Sequence, residues 1–166
     1  MTSRAAAKKS QHVQWSPHEA EVFAIGTSEH LKLYSFAADE MTLLSSVPFD
    51  VPVNCMAWCP DATQPWMFAA GTASGRVVLH DCTPAAARTG GHAPPTSSLC
   101  EFVPNARLKR NCTATSWNRV QTQQVAVGLD PLRREPGVLV WDVTRGLPSS
   151  SRGSGEAAGY GALAAA

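Results

Sequence analysis

Charged residues are scarce in this chain, and the two signs nearly cancel. Only 16% of its 166 residues are Asp, Glu, Lys or Arg, and the formal net charge is +1. A chain with so little net charge has no general attraction for nucleic acid or for an anionic membrane surface. We therefore expect no nucleic-acid partner, although scattered arginines leave that class as a weak alternative.

Long hydrophobic runs are also missing. No stretch approaches the roughly 18 apolar residues that a membrane-spanning helix needs. The first residues carry Arg4, Lys8 and Lys9 without an apolar run behind them, which is unlike a secretory signal. We expect residues 1–10 to be a disordered amino terminus, and we expect no direct insertion into a membrane.

Cysteines with metal-binding or redox spacing are lacking. The chain has five cysteines: Cys55, Cys59, Cys82, Cys100 and Cys112. An odd number without a Cys-x-x-Cys motif predicts free thiols in a reducing compartment. A zinc site built from Cys59, His80 and Cys82 would have a spacing unlike the common zinc fingers. We therefore expect no metal.

Enzyme motifs are missing as well. The chain has no Gly-x-Ser-x-Gly motif of the kind that presents a catalytic serine. The glycine-rich segment 71–75 lies between two predicted strands, whereas a phosphate-binding loop precedes a helix. We therefore expect no catalytic residue, no cofactor and no small-molecule substrate.

What the chain does have is a recurring tryptophan. Trp15, Trp58 and Trp117 each end a short strand pattern and precede a turn, at intervals of about 43 and about 59 residues. The strand pattern that each tryptophan ends is the first of three in a repeat unit. The patterns are 12–15, 22–26 and 31–36 in unit one; 53–58, 67–71 and 77–81 in unit two; and 112–117, 125–128 and 138–143 in unit three. The second pattern of each unit closes on glycine, and the third is β-branched or aromatic.

A fourth strand pattern follows in two of the three units. Residues 41–47 supply it in unit one, and residues 99–103 supply it in unit two. After Val143 the chain becomes rich in Ser, Gly and Ala, so we expect residues 146–166 to be a low-complexity, disordered tail. The sequence therefore predicts no fourth strand in unit three and an unpaired strand edge there.

A period near 40 to 45 residues with four strands per unit is typical of a blade of a WD-repeat β-propeller. We predict an all-β fold, in which residues 11–145 form a partial propeller of about three blades, the last of them incomplete. Closed propellers have about four to eight blades. An alternative is a truncated, unstable product with no independent role.

Several segments resemble one family of WD-repeat proteins. Trp141-Asp142 is the dipeptide that names these repeats. The other matching segments are Val53–Trp58, Ala70–Leu79, Glu101–Pro104, Arg110–Cys112, Trp117–Asn118, Val125–Asp130 and Val138–Asp142. In this order they resemble the Mios (missing oocyte) family, from about Val13 to Val143. The unit-two and unit-one counterparts of Trp-Asp are His80-Asp81 and Tyr34-Ser35, so the repeats are degenerate.

The resemblance implies a function. Mios proteins are subunits of the larger GATOR subcomplex (the SEA complex in fungi), which relays amino-acid sufficiency to the TOR kinase complex at the lysosomal or vacuolar surface. It therefore implies a non-catalytic interaction scaffold that promotes TOR signalling, with other WD-repeat subunits of the same complex as partners. It also implies a cytoplasmic protein recruited to the lysosomal surface. A generic WD-repeat adaptor of another complex is an alternative.

Individual residues can be assigned to structure or to contact. Five repeat positions are assigned to structure: Trp15, Trp58, Trp117, Trp141 and Asp142. We expect the first three of these to pack between blades rather than to form binding hot spots, because a repeated position serves the repeated architecture. Candidate protein contacts are Trp66, Arg107, Lys109, Arg110, Arg133 and Arg134. The loops 83–98 and 129–137 are also candidates, because loops on a rigid scaffold carry contacts.

Overall fold

The computed structural model describes residues 12–27, 29–84, 87, 99–104, 110–133, 135–145 and 163–164. Its strands form three four-stranded antiparallel sheets, in which neighbouring strands follow one another along the chain. Each sheet is one blade, and the predicted all-β fold of about three WD-repeat blades is confirmed. The predicted disordered segment 1–10 lies outside the described residues.

Blade one is formed by β1 (His12–Trp15), β2 (Val22–Gly26), β3 (His30–Ala37) and β4 (Glu40–Pro48). Buried and half-buried residues alternate along β2, as expected for a strand with two different faces. A two-residue turn joins β3 to β4, and both of its residues have positive φ, 49° at Ala38 and 63° at Asp39. This is the backbone that a tight hairpin between twisted strands requires.

Blade two is formed by β5 (Val53–Trp58), β6 (Met67–Thr72), β7 (Val77–Asp81) and β8 (Cys100–Phe102). All six residues of β6 are buried, because a neighbouring blade covers each face of this middle sheet. Gly75 turns the chain between β6 and β7 with a φ of 85°.

Blade three is formed by β9 (Cys112–Trp117), β10 (Gln124–Leu129), β11 (Val138–Asp142) and β12 (Leu163–Ala164). The expectation that this blade lacks a fourth strand is wrong. Leu139 pairs with Ala164, and Val140 pairs with Leu163. The backbone groups along the edge of β11 need hydrogen-bond partners, and any non-proline segment that reaches the edge can supply them.

The last blade is nevertheless less complete than the first. In blade one, all eight residues of β3 pair with β4, whereas β12 meets only two residues of β11. The rest of the predicted tail 146–166 lies outside the described residues. A 3-10 helix, Val143–Arg145, follows β11 directly.

Two buried apolar clusters hold the blades together. One contains Leu33 of blade one with Trp58 and Phe68 of blade two. The other contains Leu79 of blade two with Trp117 of blade three. Burying each such side chain contributes about 1.5–3 kcal/mol. Most of the core therefore lies between sheets, so each blade depends on its neighbours.

Every blade has two faces of different character. We call the face toward the preceding blade the leading face, and the face toward the following blade the trailing face. In blade two the leading face carries Trp58 and Phe68, and the trailing face carries Ala69 and Leu79. Because side chains alternate along a strand, the pairings between strands assign the equivalent residues in the other two blades.

Candidate protein-interaction surfaces

The leading face of blade one is exposed and aromatic. Its members are Val13, Trp15, Phe23, Ile25, Lys32, Tyr34, Phe36, Met41 and Leu43. The Trp15 and Phe23 rings lie 5.3 Å apart, and the Phe23 and Tyr34 rings stack at 5.6 Å. Trp15 is 59% exposed, and no described residue covers this row.

The same positions are buried in the other blades. Trp58 and Phe68 of blade two stand where Trp15 and Phe23 stand in blade one, with ring centres 4.3 Å apart. Trp58 is only 6% exposed because blade one covers it. The expectation that the repeat tryptophans pack between blades is therefore wrong for Trp15. The repeat fixes the position, but no described blade precedes blade one.

Trp58 and Trp117 are also held by hydrogen bonds to the turns that follow their strands. The Trp58 indole N–H donates to the carbonyl of Pro65 at 2.7 Å, and that of Trp117 donates to Thr122 at 2.6 Å. These bonds fix the ring planes against the neighbouring blade. Both tryptophans therefore have a structural position in the repeat.

Trp141 and Asp142 have different surroundings. Trp141 is buried, with its ring 5.4 Å from Phe102, and its Nε1 atom has no hydrogen-bond partner among the described residues. The Asp142 carboxylate accepts hydrogen bonds from the backbone N–H of Thr144 at 3.0 Å and from its hydroxyl at 2.6 Å. It thereby holds the turn after β11.

The three repeat tryptophans meet at one cavity, which we call the tryptophan cavity. It has a volume of about 300 Å³ and lies where β1, β5 and β9 end. Its lining includes Trp15, Trp58, Trp117, Pro17, Pro60 and Arg119. Tryptophan and arginine side chains are enriched in the central part of many protein interfaces.

A second cavity, of about 260 Å³, lies between blades one and two. Arg76 and Glu101 form an ion pair at its wall, with 2.9 Å between Nη1 and Oε1. His80 packs edge-on against Phe49, with ring centres 4.8 Å apart. Burial lowers the pKa of His80 to about 4, against the smaller opposing effect of Asp50. The imidazole is therefore uncharged at neutral pH.

Trp66 is half-buried and packs against the cluster between blades one and two. Its carbonyl accepts a hydrogen bond from the backbone N–H of Cys82 at 2.9 Å. Trp66 also lines a small cavity of about 180 Å³ together with Pro65 and Leu99. Trp66 is therefore partly accessible to a partner, and its role as a contact stays a prediction.

Arg110 does not have the exposed position that a contact residue needs. It is buried, and its Nε atom donates to the Asp130 carbonyl at 2.7 Å while Nη1 donates to the Pro136 carbonyl at 2.9 Å. Arg110 therefore fixes the 129–137 loop from inside. The sequence could not reveal this, because the carbonyls it binds lie 20 and 26 residues away.

The remaining basic candidates are only partly placed. Arg133 is exposed on the 129–137 loop, where a partner can reach it. Arg107, Lys109 and Arg134 lie outside the described residues, as does most of the 83–98 loop. The sequence did not lead us to Phe23 and Tyr34 as candidate contacts. Their repeat positions match those of Phe68 and His80 in unit two, and that match was the signal that could have found them.

The buried thiols are poor nucleophiles. Burial raises the pKa of Cys112 to about 12, with a further contribution from Cys55. Burial also raises the pKa of Cys55, against the smaller opposing effects of its hydrogen bonds with the Thr115 hydroxyl and the Gly71 backbone. Within the described residues no three His, Cys, Asp or Glu side chains form a group that could hold a metal, and no helix there is long and apolar enough to cross a membrane.

Comparison with known proteins identifies the family. The family model described as "MIOS, WD40 repeat" matches residues 31–149, well over half of the chain. The chain belongs to the MIOS WD40-repeat family. The matched residues run from β3 of blade one through β11 of blade three.

Three curated relatives agree with the MIOS assignment. The GATOR2 complex protein MIOS of Dictyostelium discoideum is 34% identical over 129 residues, which are 70% of this chain and 10% of that protein. The protein of the same name from Danio rerio is 30% identical over 80% of this chain and 16% of its own length. The GATOR2 complex protein Mio of Drosophila melanogaster is 26% identical over 88% of this chain and 17% of its own. The chain thus spans only a small part of these relatives.

Among solved structures, the WD40 domain of Toxoplasma gondii coronin has the same fold. The TM-score is 0.55 at 16% sequence identity, over 81% of this chain and 31% of that one. At so low an identity the likeness concerns the fold alone, and it supports the arrangement of WD-repeat blades.

Proposed function

We propose that the chain is a non-catalytic interaction module of a GATOR2-type complex, which promotes TOR kinase signalling when amino acids are sufficient. Membership of the MIOS WD40-repeat family, over residues 31–149, carries the proposal. The relatives are named as proteins of the GATOR2 complex, although this chain covers only 10% to 17% of their lengths. The partners are other WD-repeat subunits of that complex.

The surfaces of the chain suit this role better than catalysis. The tryptophan cavity and the leading face of blade one offer aromatic side chains, which are enriched in protein interfaces. The thiols of Cys55 and Cys112 are held in the protonated form by burial. Arg76 and Glu101 satisfy each other's charge at the second cavity.

Arg119 tests the contact role of the tryptophan cavity. Cells depleted of the chain should phosphorylate TOR substrates less after amino acids are restored, and re-expression of the chain should raise that phosphorylation again. Arg119→Glu places a negative charge at the cavity rim, so it should restore less than the wild-type chain. Val120→Ser is the matched control, because Val120 is 91% exposed and lies outside the cavity lining. Unchanged phosphorylation after depletion would contradict the proposal.

The proposal also includes a location. A subunit of such a complex should be cytoplasmic and should gather at the lysosomal or vacuolar surface. A fluorescent fusion of the chain, imaged with a lysosomal marker before and after amino-acid withdrawal, measures this. A diffuse signal in both conditions would count against recruitment.

A further inference from the structure

The second cavity lies between blades one and two, so both of its walls belong to the described chain. One wall is the segment between β4 and β5, which includes Phe49 and Asp50. The other wall is the leading face of blade two, which contributes Val78, His80 and Glu101. The cavity therefore does not depend on what precedes blade one or follows blade three. Its volume of about 260 Å³ lies below the about 300–1,000 Å³ of pockets that enclose a whole small-molecule ligand, and it fits a single side chain better.

His80 lines this cavity with a buried ring that makes no hydrogen bond. It is 7% exposed and packs edge-on against Phe49. Neither ring nitrogen has a hydrogen-bond partner among the described residues. The uncharged imidazole carries one donor and one acceptor nitrogen. Because buried polar groups in proteins are nearly always hydrogen-bonded, the unused nitrogens of His80 indicate a place for a polar group of a ligand.

The charges around the cavity select the sign of that ligand. Arg76 and Glu101 are paired with each other at the wall. Asp50 is exposed at the rim, and no described basic side chain pairs with its carboxylate. Its charge acts on the His80 ring, which it makes easier to protonate. One negative charge is therefore left unbalanced beside His80, and it favours a cation.

The junction between blades two and three shows how the cavity arises. Trp141 of blade three stands where His80 stands in blade two, and its buried ring lies 5.4 Å from Phe102. The turns that follow are alike, because Asp81 and Asp142 each accept a hydrogen bond from the backbone N–H two residues further along. An imidazole is smaller than an indole. Histidine in the place of tryptophan therefore opens a space in an otherwise unchanged repeat.

We propose that this cavity binds the side chain of a lysine from a partner protein. The aliphatic stem packs against Phe49 and Val78, as long charged side chains do on apolar surface. The ammonium group donates to the acceptor nitrogen of His80 and lies near the carboxylate of Asp50. An ammonium group is compact and has only donors, which matches a small cavity with an unused acceptor and an unbalanced negative charge. This site is separate from the tryptophan cavity and does not depend on the proposed signalling role.

Titration of the ¹⁵N-labelled 166-residue chain with the peptide acetyl-Ser-Gly-Lys-Gly-Ser-amide tests the proposal by NMR, which detects weak binding. The backbone amide signals of Phe49, Asp50 and His80 should shift and reach saturation. The same peptide with norleucine in place of lysine keeps the aliphatic stem and lacks the charge. It should bind about fivefold more weakly or worse, because it loses the interaction with the carboxylate.

Substitutions in the chain locate the site. His80→Trp restores the Trp-Asp dipeptide and fills the cavity, so it should abolish the shifts while circular dichroism shows an unchanged fold. Asp50→Lys leaves the core untouched and reverses the charge at the rim, so it should also abolish binding. Asp39→Asn is the matched control, because Asp39 is an exposed carboxylate on the turn between β3 and β4, outside the cavity lining. It should leave the affinity unchanged.

Three results would each overturn the proposal. If no saturable shift occurs at Phe49 and His80, the cavity holds water only. If the norleucine peptide binds as tightly as the lysine peptide, the cavity takes an apolar side chain and not a cation. If Asp50→Lys binds the lysine peptide as the wild type does, the shifts come from another surface.

Discussion

Trp15 and Trp58 occupy the same position in consecutive blades, yet Trp15 is 59% exposed and Trp58 is 6% exposed. The difference arises from the neighbour and not from the residue. Blade one covers Trp58, and no described blade covers Trp15. The energetic weight of a repeat tryptophan in this chain therefore depends on the blade that precedes it.

This relationship predicts unequal effects of the same substitution. Trp58→Ala should lower the free energy of unfolding by about 3–5 kcal/mol, the usual cost of removing a buried tryptophan. Trp15→Ala should lower it by less than about 1 kcal/mol, as for most exposed sites. Urea unfolding at a concentration where each chain is monomeric measures both. Equal losses would contradict the assignment of Trp15 to an uncovered face.

Arg110 should stabilise the 129–137 loop. Arg110→Ala removes donors to two loop carbonyls and leaves these acceptors unsatisfied, so we expect a loss of about 1.5–3 kcal/mol and faster proteolysis within the loop. Arg133→Ala, on the same loop but exposed, should change stability by less than about 0.5 kcal/mol. Limited proteolysis with mass spectrometry locates the cuts. If the two variants behave alike, Arg110 does not anchor the loop.

Gly75 should tolerate no side chain. Its φ is 85°, and a Cβ atom there would collide with the backbone carbonyl oxygen of Arg110. Gly75→Ala should therefore cost about 1–3 kcal/mol. Gly137→Ala is the matched control, because a Cβ there meets nothing within 4 Å. Thermal unfolding should show a lower midpoint for the first variant only.

His80 should make the chain less stable in acid. Burial lowers its pKa in the folded chain from 6.5 to about 4, so the unfolded chain binds the proton more readily. Stability from the neutral imidazole is present above pH 6.5 and is lost as the pH falls toward 4, by up to about 3 kcal/mol. Urea unfolding of the wild type and of His80→Gln at several pH values isolates this effect. If the free energy of unfolding of both chains falls in parallel as the pH is lowered, His80 is not the cause of the loss.

Much of the fold could be read from the sequence, for a physical reason. The bounds of β5 and β9 were predicted residue by residue, because each ends in a tryptophan followed by turn residues. The strand β12 was not predicted, because Leu163–Ala164 has no alternation of its own and pairs only by reaching the edge of β11. A sequence pattern predicts the structure of its own segment, but it does not predict which distant strand edge that segment will pair with.

The interaction surfaces were harder to predict for the same reason. The sequence showed that Trp15 repeats Trp58, but exposure depends on which blades surround each of them. It showed Arg110 in a polar, basic segment, where a buried arginine looks the same as a solvated one. Both errors concern neighbours that are distant in the chain.

The most direct test of the proposed role is affinity purification of the 166-residue chain from cells, with mass spectrometry of the proteins that accompany it. The account predicts recovery of other WD-repeat subunits of a GATOR2-type complex, reduced by Arg119→Glu and unchanged by Val120→Ser. Recovery of chaperones and proteasome components alone would contradict it, because the chain would then be handled as an unfolded product and not as a subunit.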